Sequence, residues 1–374
     1  MQFHHAHGFR PQVAEILEET WPAAMAAWLA LGAEPITFDI SGVGKTPVGH
    51  RSRRDTFERA LRKAAAAVRG LSIQQGHVDR LVVEAGQVTG LVVDGGRLDA
   101  DLVIDASGRA GRAADAVRAR SGVGGLCGMA YVDRQYRLHD GVEPGPMANP
   151  LAWQADFDGY QTIVFLHERG HFSVLPVRPT ADATLKDLRH EVAFEAACRA
   201  IPGLAEWTAP ARARPVTGVL PGGPLRNAYR GQRGVDGRLA VPGLVSVGEA
   251  VATTTPTFGR GLATTFLQCR HRLDLLDSGA NPHLVGEPFD IWCQAPCRGC
   301  STTFMWTATS AVAGRRCRCV PAVAVGPDLV SGCGGAADQR AEPALPGHAG
   351  TALLPRPGRA PCPRGLRVRL AAAA

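Results

Sequence analysis

Two stretches of the sequence decide the fold, and the first reads Asp101-Leu102-Val103-Ile104-Asp105-Ala106-Ser107-Gly108. Its short apolar run predicts a buried strand, and Ser107-Gly108 predicts that the strand ends in a turn. The second stretch repeats this arrangement, because Leu244-Val245-Ser246-Val247 leads into Gly248-Glu249. Strands that end in glycine turns are typical of α/β proteins, which bind ligands at the carboxyl ends of their strands.

The composition of the whole chain is that of a globular protein with room for two domains. The chain has 374 residues, of which 45% are hydrophobic and 20% are charged. No stretch approaches the roughly 18 to 20 consecutive apolar residues that a membrane-spanning helix needs. The first residues, Met1-Gln2-Phe3-His4-His5, resemble neither a signal peptide nor a transit peptide. We therefore expect a cytoplasmic protein without a membrane span.

The formal charge of +7 is confined to the last part of the chain. Residues 294–374 hold ten Arg and no Lys against three acidic residues, whereas basic and acidic residues balance in 1–293. A nucleic-acid-binding domain would carry its basic residues on a folded surface. The body of the protein therefore has no charge signature for nucleic acid, and we expect no nucleic-acid partner.

Hydrophobic periodicity predicts the main secondary-structure elements. Apolar residues at helical spacing predict a helix over 11–31 that is interrupted by Pro22, and a second helix over 53–69. Ala85-Gly86 is a plausible hairpin turn between two β runs. The remaining predictions are strands at 71–75, 78–84, 87–94, 101–105, 162–166, 171–175, 239–241 and 244–247, and helices at 184–198 and 261–277.

Three segments together resemble the class A flavoprotein monooxygenase superfamily, which has the para-hydroxybenzoate hydroxylase-like fold. The first is the segment from Arg54 to Arg62, which resembles a helix whose leading Arg lies near the flavin. The second runs from Asp101 to Arg109 and resembles the strand and turn that meet the cofactor. The third runs from Pro242 to Gly261 and resembles the family's "Gly-Asp … Pro-x-x-Gly-x-Gly" loop. Residues 2–293 fit the family, and its uncharacterised bacterial FAD-dependent oxidoreductases are the most similar members.

The resemblance implies an α/β fold, namely an incomplete FAD/NAD(P)-binding Rossmann-like domain with an inserted α+β substrate domain. The implied divisions are a truncated first part of the FAD-binding domain (1–118), a substrate-binding β-sheet domain (119–236), a second part of the FAD-binding domain with a C-terminal helix (237–293), and a tail (294–374).

The resemblance also implies FAD as the cofactor and NAD(P)H as its transient reductant. Glycine at 248 would let the backbone approach the ribityl chain, and the carboxylate of Glu249 would accept ribityl hydrogen bonds. Backbone N–H groups at the start of the helix after Gly261 would face the pyrimidine edge of the flavin. The implied cofactor-binding residues are Arg54, Asp105, Ser107, Gly108, Gly248, Glu249, Pro256, Gly259 and Gly261.

Two departures from the family pattern stand out. The family has Asp where this chain has Glu249, so one extra methylene must be accommodated. The family's opening strand, Gly-x-Gly-x-x-Gly turn and helix, which hold the pyrophosphate, have no counterpart in the sequence. Gly122-Val123-Gly124-Gly125 lies in the wrong context to replace them. We expect the chain to begin about one βαβ unit later than its relatives.

The implied activity is that of a monooxygenase, in which NAD(P)H reduces the flavin and O₂ supplies one oxygen atom to a small organic substrate. No side chain can be assigned as a catalytic acid or base from the sequence. Three alternatives remain open: a flavin-dependent alkene reductase, a halogenase, and a non-catalytic remnant of such an enzyme. The halogenase signature Trp-x-Trp-x-Ile-Pro does not occur in the sequence.

Several further residues are candidates for the surroundings of the flavin or the substrate. His4, His5 and His7 are too close in sequence to bind one metal ion without a bent loop, so we expect no metal site. The resemblance places His5 and His7 near the flavin. Aromatic residues that line a substrate pocket or simply form the core of the second domain are Trp153, Phe157, Tyr160, Phe165 and Phe172.

The tail at 294–374 allows two interpretations. Cys297-x-x-Cys300 and Cys317-x-Cys319 have spacings that suggest zinc. The other interpretation is that the tail is an out-of-frame translation of the gene. If each codon is read one base earlier, permitted codon choices convert residues 297–307 into a Pro-Trp and acidic stretch similar to that of the family. The tail lacks a sustained apolar period, so we expect no packed fold there.

Overall fold

The structure is a computed structural model that describes residues 2–118, 123–157, 159–234, 236, 238, 241–256, 259–294 and 368–372. Its helices are α1 (Pro11–Thr20), α2 (Pro22–Ala30), α3 (Arg54–Ala66), α4 (Glu191–Ala200), α5 (Pro202–Thr208), α6 (Gly261–Asp277) and α7 (Gly286–Gln294). Its strands are β1 (Glu34–Ile40), β2 (Gly44–Arg51), β3 (Val78–Glu84), β4 (Gln87–Val93), β5 (Gly96–Asp99), β6 (Leu102–Ala106), β7 (Val123–Leu138), β8 (Ala152–Phe157), β9 (Tyr160–Leu166), β10 (His171–Pro179), β11 (Ala213–Pro215), β12 (Leu220–Tyr229), β13 (Leu244–Ser246), β14 (Ala252–Thr253) and β15 (Val368–Ala372).

A small parallel sheet carries the two stretches that decide the fold. Its strand order is β13-β6-β15, and β6 pairs in parallel with both neighbours. Parallel strands joined through long connections are the hallmark of α/β architecture. The N-terminal helices form their own core around Trp28, Phe57 and Phe9, and Ala263 of α6 joins this cluster. The mixed α/β fold that the sequence predicts is therefore confirmed.

A larger antiparallel sheet forms the second layer of the molecule. Its order is β14-β12-β7-β10-β9-β8, and β11 pairs with β7. Helices α4 and α5 supply apolar side chains to one face, where Phe172, Phe194 and Trp207 are fully buried. Burial of large aromatic side chains is the main stabilising contribution in such a core. Strands β7 to β12 come from the predicted substrate domain, and β14 comes from the segment after it.

A buried carboxylate joins the two layers. Glu168, in the turn between β9 and β10, accepts hydrogen bonds from the Arg53 backbone N–H (2.7 Å), the Arg53 Nε (2.9 Å) and the Thr56 hydroxyl (2.6 Å). Its side chain is fully buried. A buried charge is tolerated when it is paired and fully hydrogen-bonded in this way. The start of α3 is thus fixed against the larger sheet.

Most of the predicted elements are confirmed. The helix at 11–31 is interrupted at Pro22, as expected, because proline begins α2. Strands β3 and β4 form a hairpin in which Ala85 (φ 48°) and Gly86 (φ 77°) are both left-handed, as a tight hairpin turn requires. The paired strands β9 and β10 and the helix at 261–277 are also confirmed.

Two predictions of elements were wrong or incomplete, and several elements were missed. Residues 71–75 form no strand, because their apolar side chains have no neighbouring strand to pair with. The helix expected at 184–198 is divided into a 3₁₀ segment, Thr184–Arg189, and α4. Among the elements missed are the β1–β2 hairpin and the long strand β7, whose first residues include Gly124 and Gly125.

The tail is described only at 368–372, where β15 pairs with β6. For these five residues the structure has a strand where the sequence predicted no packed fold. The rest of 295–374, including the cysteines at the zinc-like spacings, lies outside the described residues. Among the helices that the structure describes, none is both long enough and apolar enough to cross a bilayer.

Candidate functional site

The predicted loops meet at one edge of the small parallel sheet. Strands β6 and β13 run side by side with Asp105 opposite Ser246, and the Val247 N–H donates to the Asp105 carbonyl at 2.9 Å. Both strands therefore end at the same level. The turn at Ser107-Gly108 and the loop that begins at Gly248 lie next to each other, as the sequence predicted.

The carboxylate of Asp105 holds this edge together. Its Oδ1 accepts hydrogen bonds from the Ser107 N–H (3.0 Å) and the Ser107 hydroxyl (2.5 Å), and its Oδ2 accepts from the Ser246 hydroxyl (3.2 Å). The buried guanidinium of Arg118 lies 3.3 Å from Oδ2 and also donates to the Ala250 carbonyl at 2.6 Å. Both oxygens of Asp105 are engaged inside the protein, so this side chain shapes the two loops.

Glycines leave the backbone of these loops accessible. Gly108 has φ +75°, and a Cβ added there would meet no atom of the described residues within 4 Å, apart from its chain neighbours. Gly248 has φ +64°, and its N–H donates to the side-chain oxygen of Gln268 at 2.6 Å. Glu249 follows and is partly exposed. A ligand can therefore approach the backbone at Gly108 closely, and Glu249 has a carboxylate at the same edge.

The loop after β14 leads directly into α6. Pro256 is exposed and accepts a hydrogen bond from the Gly259 N–H at 2.8 Å, while residues 257 and 258 lie outside the described residues. Gly259 has φ +58°, and Gly261 is the first residue of α6. The first N–H groups of a helix have no acceptor within it and carry a partial positive charge. This end of α6 is suited to an anionic or electron-rich group.

The N-terminal segment lies against this loop. A Cβ added at Gly8 would lie 3.7 Å from the Cα of Gly259. The neighbouring His7 is deeply placed, and burial followed by the charge of Arg54 lowers its pKa to about 3, so the ring is neutral. Arg54 itself donates from Nε to Glu58 at 2.6 Å. The structure thus brings Arg54 and His7 together beside the glycine loop.

Strand β7 adds residues that the sequence analysis did not identify. Tyr131, Asp133 and Gln135 occupy alternate positions, and they face the segment from His4 to Ala6. Asp133 accepts the Ala6 N–H at 2.5 Å, and the Gln135 amide donates to the His4 carbonyl at 2.7 Å. The alternation of polar side chains at 131, 133 and 135 was the available signal, but it does not specify which segment lies opposite.

Tyr131, on this face of β7, interacts electrostatically with residues of the predicted loops. Burial, and then the charge of Asp133, raise its pKa to about 12. Arg109 opposes the shift and Glu249 adds to it, so residues that follow β6 and β13 both lie within electrostatic range of the phenol. The phenol therefore keeps its proton at neutral pH and can donate a hydrogen bond.

The aromatic candidates fall on different faces of the larger sheet. Phe172 is fully buried against Trp207 and Tyr136, and Trp153 and Tyr160 pack on the same helix-covered face. Phe157 stacks on Tyr160 at the end of the sheet. Phe165 lies on the opposite face, in a cluster with Ala6 and Tyr131. Of the five aromatic residues, Phe165 is therefore the one that faces the N-terminal segment and β7.

No group of three or more His, Cys, Asp or Glu in the described ranges has an arrangement that could hold a metal ion.

Residues 4–121 match the family model described as tryptophan halogenase. No curated protein sequence gives a significant match.

Solved structures with a similar fold are flavin enzymes. The flavin-dependent brominase Bmp2 has a TM-score of 0.56 and 14% identity, over 77% of this chain and 74% of that chain. CtdE, solved in complex with FAD and a substrate, has a TM-score of 0.57 and 13% identity, over 83% and 79%. The myxobacterial chondrochloren halogenase CndH has a TM-score of 0.52 and 16% identity, over 77% and 70%.

At these identities the likeness concerns the fold. The match at 4–121 includes the first of the two loops, and the structural neighbours share the overall fold. The para-hydroxybenzoate hydroxylase-like subtype stays a prediction. The chain has the mixed α/β fold of the flavin-dependent halogenases, a group of FAD-dependent oxidoreductases.

Proposed function

We propose that this protein is an FAD-dependent oxidoreductase that uses O₂ and NAD(P)H to oxidise a small organic substrate, as a monooxygenase. One observation carries the proposal: two glycine turns and the start of α6 meet at the carboxyl ends of β6 and β13. The proposal includes cofactor-binding roles for the nine residues predicted from the sequence, namely Arg54, Asp105, Ser107, Gly108, Gly248, Glu249, Pro256, Gly259 and Gly261.

The residues at this edge fit the flavin-facing part of the cofactor. The space for a Cβ at Gly108 would allow part of the cofactor to approach the backbone closely. The N–H groups in the first turn of α6 suit the electron-rich pyrimidine edge, and Glu249 suits hydroxyl donors. When bound, the flavin would supply the redox chemistry and the activation of O₂.

The chain's own residues would bind, orient and exclude water. The helix dipole of α6 would stabilise negative charge that develops on the reduced ring system. Ala152, Ile163 and Leu175 form a buried apolar cluster on one face of the larger sheet, and the partly buried Phe165 and Tyr131 pack against it. A substrate pocket bordered by this cluster would favour an apolar substrate and contain little water, so that electrostatic interactions there would be stronger.

A halogenase is the second candidate function. The family match at 4–121 and the similarity to a brominase and a chondrochloren halogenase favour it. The sequence lacks Trp-x-Trp-x-Ile-Pro, which counts against it. Both functions need a flavin, O₂ and an electron-rich substrate, so the binding site argued above serves either.

A product assay tests the proposal and separates the candidates. The full chain is incubated with FAD, NADH or NADPH, O₂ and either phenol or indole as a probe, with and without bromide. A monooxygenase gives a product that has gained one oxygen atom from ¹⁸O₂ in both conditions. A halogenase gives a product with the bromine isotope pattern only when bromide is present. Absence of any product that depends on both flavin and O₂ would contradict both functions.

We also propose a cytoplasmic location. Within the part of the chain that the structure describes, Cys127, Cys198 and Cys269 form no disulfide bond, as is typical of proteins in reducing compartments. Fractionation of the producing cells, with the full chain detected by antibody, checks the location.

A further inference from the structure

A carboxylate and an imidazole are buried together where the N-terminal segment crosses β7. The side chain of Asp133 is fully buried, and its Oδ2 lies 3.6 Å from Nδ1 of His5. Within the part of the chain that the structure describes, neither Nδ1 of His5 nor Oδ1 of Asp133 has a hydrogen bond of good geometry. Ser173 on β10 and the Ala6 N–H are the other polar groups facing the carboxylate.

Packing alone does not explain this pair. Burial of a carboxylate costs several kcal/mol unless it is paired and hydrogen-bonded, and an apolar side chain usually serves a core better. Burial raises the pKa of Asp133, and interactions with His5 and the Ala6 N–H oppose that rise. A carboxylate that is retained in such a position, beside an imidazole, is a candidate for a functional role.

The pair lies between the proposed cofactor site and the apolar sheet face. The ring of Tyr131 meets the ring of His5 edge to face, with centroids 5.5 Å apart. Tyr131 is also within electrostatic range of Arg109 and Glu249. Ala6, the residue after His5, packs with Phe165 against the apolar face. His5 therefore contacts Tyr131, which interacts with a residue of each flavin loop, and its neighbour Ala6 packs against the apolar cluster proposed for the substrate.

The two ring nitrogens of His5 lie in different surroundings. Nδ1 is buried and faces Asp133, whereas the side chain as a whole is 11% exposed. The exposed part of the ring is thus not Nδ1. A carboxylate at this distance favours the tautomer with the proton on Nδ1, and the other nitrogen is then left to exchange a proton with a ligand.

We propose that His5 accepts the proton released from the substrate and that Asp133 positions His5 and stabilises its charged form. The proposal rests on the proposed function. When an electron-rich ring is hydroxylated or halogenated, a new C–O or C–halogen bond forms with electrons of the ring. The C–H bond then breaks, its electron pair restores the ring, and the proton passes to Nε2 of His5.

The overall reactions balance without another oxidant. For hydroxylation, the aromatic C–H, O₂ and the reduced flavin give the C–OH product, oxidised flavin and one water molecule. For halogenation, the aromatic C–H, halide, O₂, the reduced flavin and one proton give the carbon–halogen product, oxidised flavin and two water molecules. In both cases His5 returns its proton to solvent before the next turnover. His5 is then a catalytic residue, and Asp133 is a positioning residue.

The first test is spectroscopic and needs neither flavin nor substrate. The full chain is labelled with ¹⁵N-histidine, and the His5 resonances are assigned by comparison with His5→Gln. We expect the neutral ring of His5 to carry its proton on Nδ1, and we expect Asp133→Asn to redistribute the proton between the two nitrogens. A His5 ring that carries its proton on Nε2, or a tautomer that Asp133→Asn leaves unchanged, would overturn the role of Asp133.

The second test uses ring-deuterated phenol or indole with the FAD-loaded protein. We expect His5→Gln to lower product formation by about 10²-fold or more, which is the usual contribution of a general base. We also expect it to produce a primary deuterium isotope effect that the unmodified protein lacks, because C–H cleavage becomes the slow step. Asp133→Asn should give a smaller loss in the same direction.

The matched control is His4→Gln, because His4 is the exposed neighbour whose side chain has no part in the proposal. It should leave both the product rate and the isotope effect unchanged. Equal losses in His4→Gln and His5→Gln, or product formation by His5→Gln at the unmodified rate, would overturn the assignment of His5. If the unmodified protein forms no product, the proposed function is contradicted. The tautomer experiment still tests the interaction between His5 and Asp133, because it needs neither flavin nor substrate.

Discussion

The two halves of the candidate site are built in different ways. The half at the ends of β6 and β13 is made of backbone, with Gly108, Gly248 and Gly259 all at positive φ. The half at β7 is made of side chains, with His5 and Asp133 brought together from positions 128 residues apart. Only glycine adopts left-handed backbone freely, so the first half is marked in the sequence, whereas the second depends on packing between distant segments.

The two halves also differ in how they would recognise a ligand. A backbone site recognises a ligand through N–H groups and close approach, which many side-chain changes leave intact. A side-chain site recognises chemistry through individual titratable groups, each of which can be removed by one substitution. The first half is suited to a cofactor common to many enzymes, and the second to a particular substrate.

The largest expected effect on stability is at the support of the backbone half. Asp105→Ala removes a buried carboxylate and leaves the Arg118 guanidinium without its charged partner, so we expect a loss of ~3–5 kcal/mol in the free energy of unfolding. Asp99→Ala is the matched control, because Asp99 pairs with Arg97 on the surface, where such a pair contributes less than ~1 kcal/mol. Urea denaturation measures both. Equal losses in the two variants would show that Asp105 does not support the loops.

The next effect concerns pH and the histidines around the side-chain half. Burial, with a smaller contribution from nearby Arg residues, lowers the pKa of His7 and of His167 to about 3. In the unfolded chain a histidine binds a proton near pH 6.5, so unfolding takes up protons as the pH falls. Stability is therefore complete above pH 6.5 and decreases below it, by at most about 1.4 kcal/mol per pH unit for each histidine.

Denaturation at several pH values between about pH 7 and pH 5 measures this slope. We expect His7→Gln to reduce the slope and the exposed His139→Gln to leave it as it is. A slope that responds equally to both substitutions would contradict the burial of His7.

A smaller effect is expected at the contact between α6 and the glycine loop. Gln268→Leu leaves the buried N–H of Gly248 without an acceptor, which costs ~1–3 kcal/mol. Gln161→Leu removes an exposed amide that donates to Asp156, so it should change stability by less than ~0.5 kcal/mol. Thermal denaturation of the two variants makes the comparison, and a larger loss in Gln161→Leu would reverse our ranking of the contacts.

The local elements were predictable where one segment determines its own structure. The hairpin at Ala85-Gly86, the break at Pro22 and the helix at 261–277 follow from turn chemistry and from periodicity. The strand expected at 71–75 was wrong because an apolar run becomes a strand only when a neighbour pairs with it. Strand β7 was missed because its glycines and charged residues conceal a strand that is stabilised by β10 and β12 on its two sides.

The candidate site likewise contains residues that could be predicted from the sequence and residues that could not. The glycine turns and Glu249 could be located from the sequence, because their spacing along two similar strands is a local signal. The use of the Asp105 carboxylate could not, since Arg118 and Ser246 reach it only in the folded protein. The pairing of His5 with Asp133 likewise depends on the path of the N-terminal segment across β7.

The most direct test of the central claim is a flavin titration of the purified chain and two glycine variants. Gly108 and Gly95 both have positive φ and open space at a Cβ, so Gly108→Leu and Gly95→Leu carry a similar strain of ~1–3 kcal/mol. The account predicts saturable quenching of FAD fluorescence by the unmodified chain and Gly95→Leu, with an affinity at least about tenfold weaker for Gly108→Leu, equivalent to ~1.4 kcal/mol. No saturable binding, or equal affinity in the two variants, would contradict the claim that these loops hold the flavin.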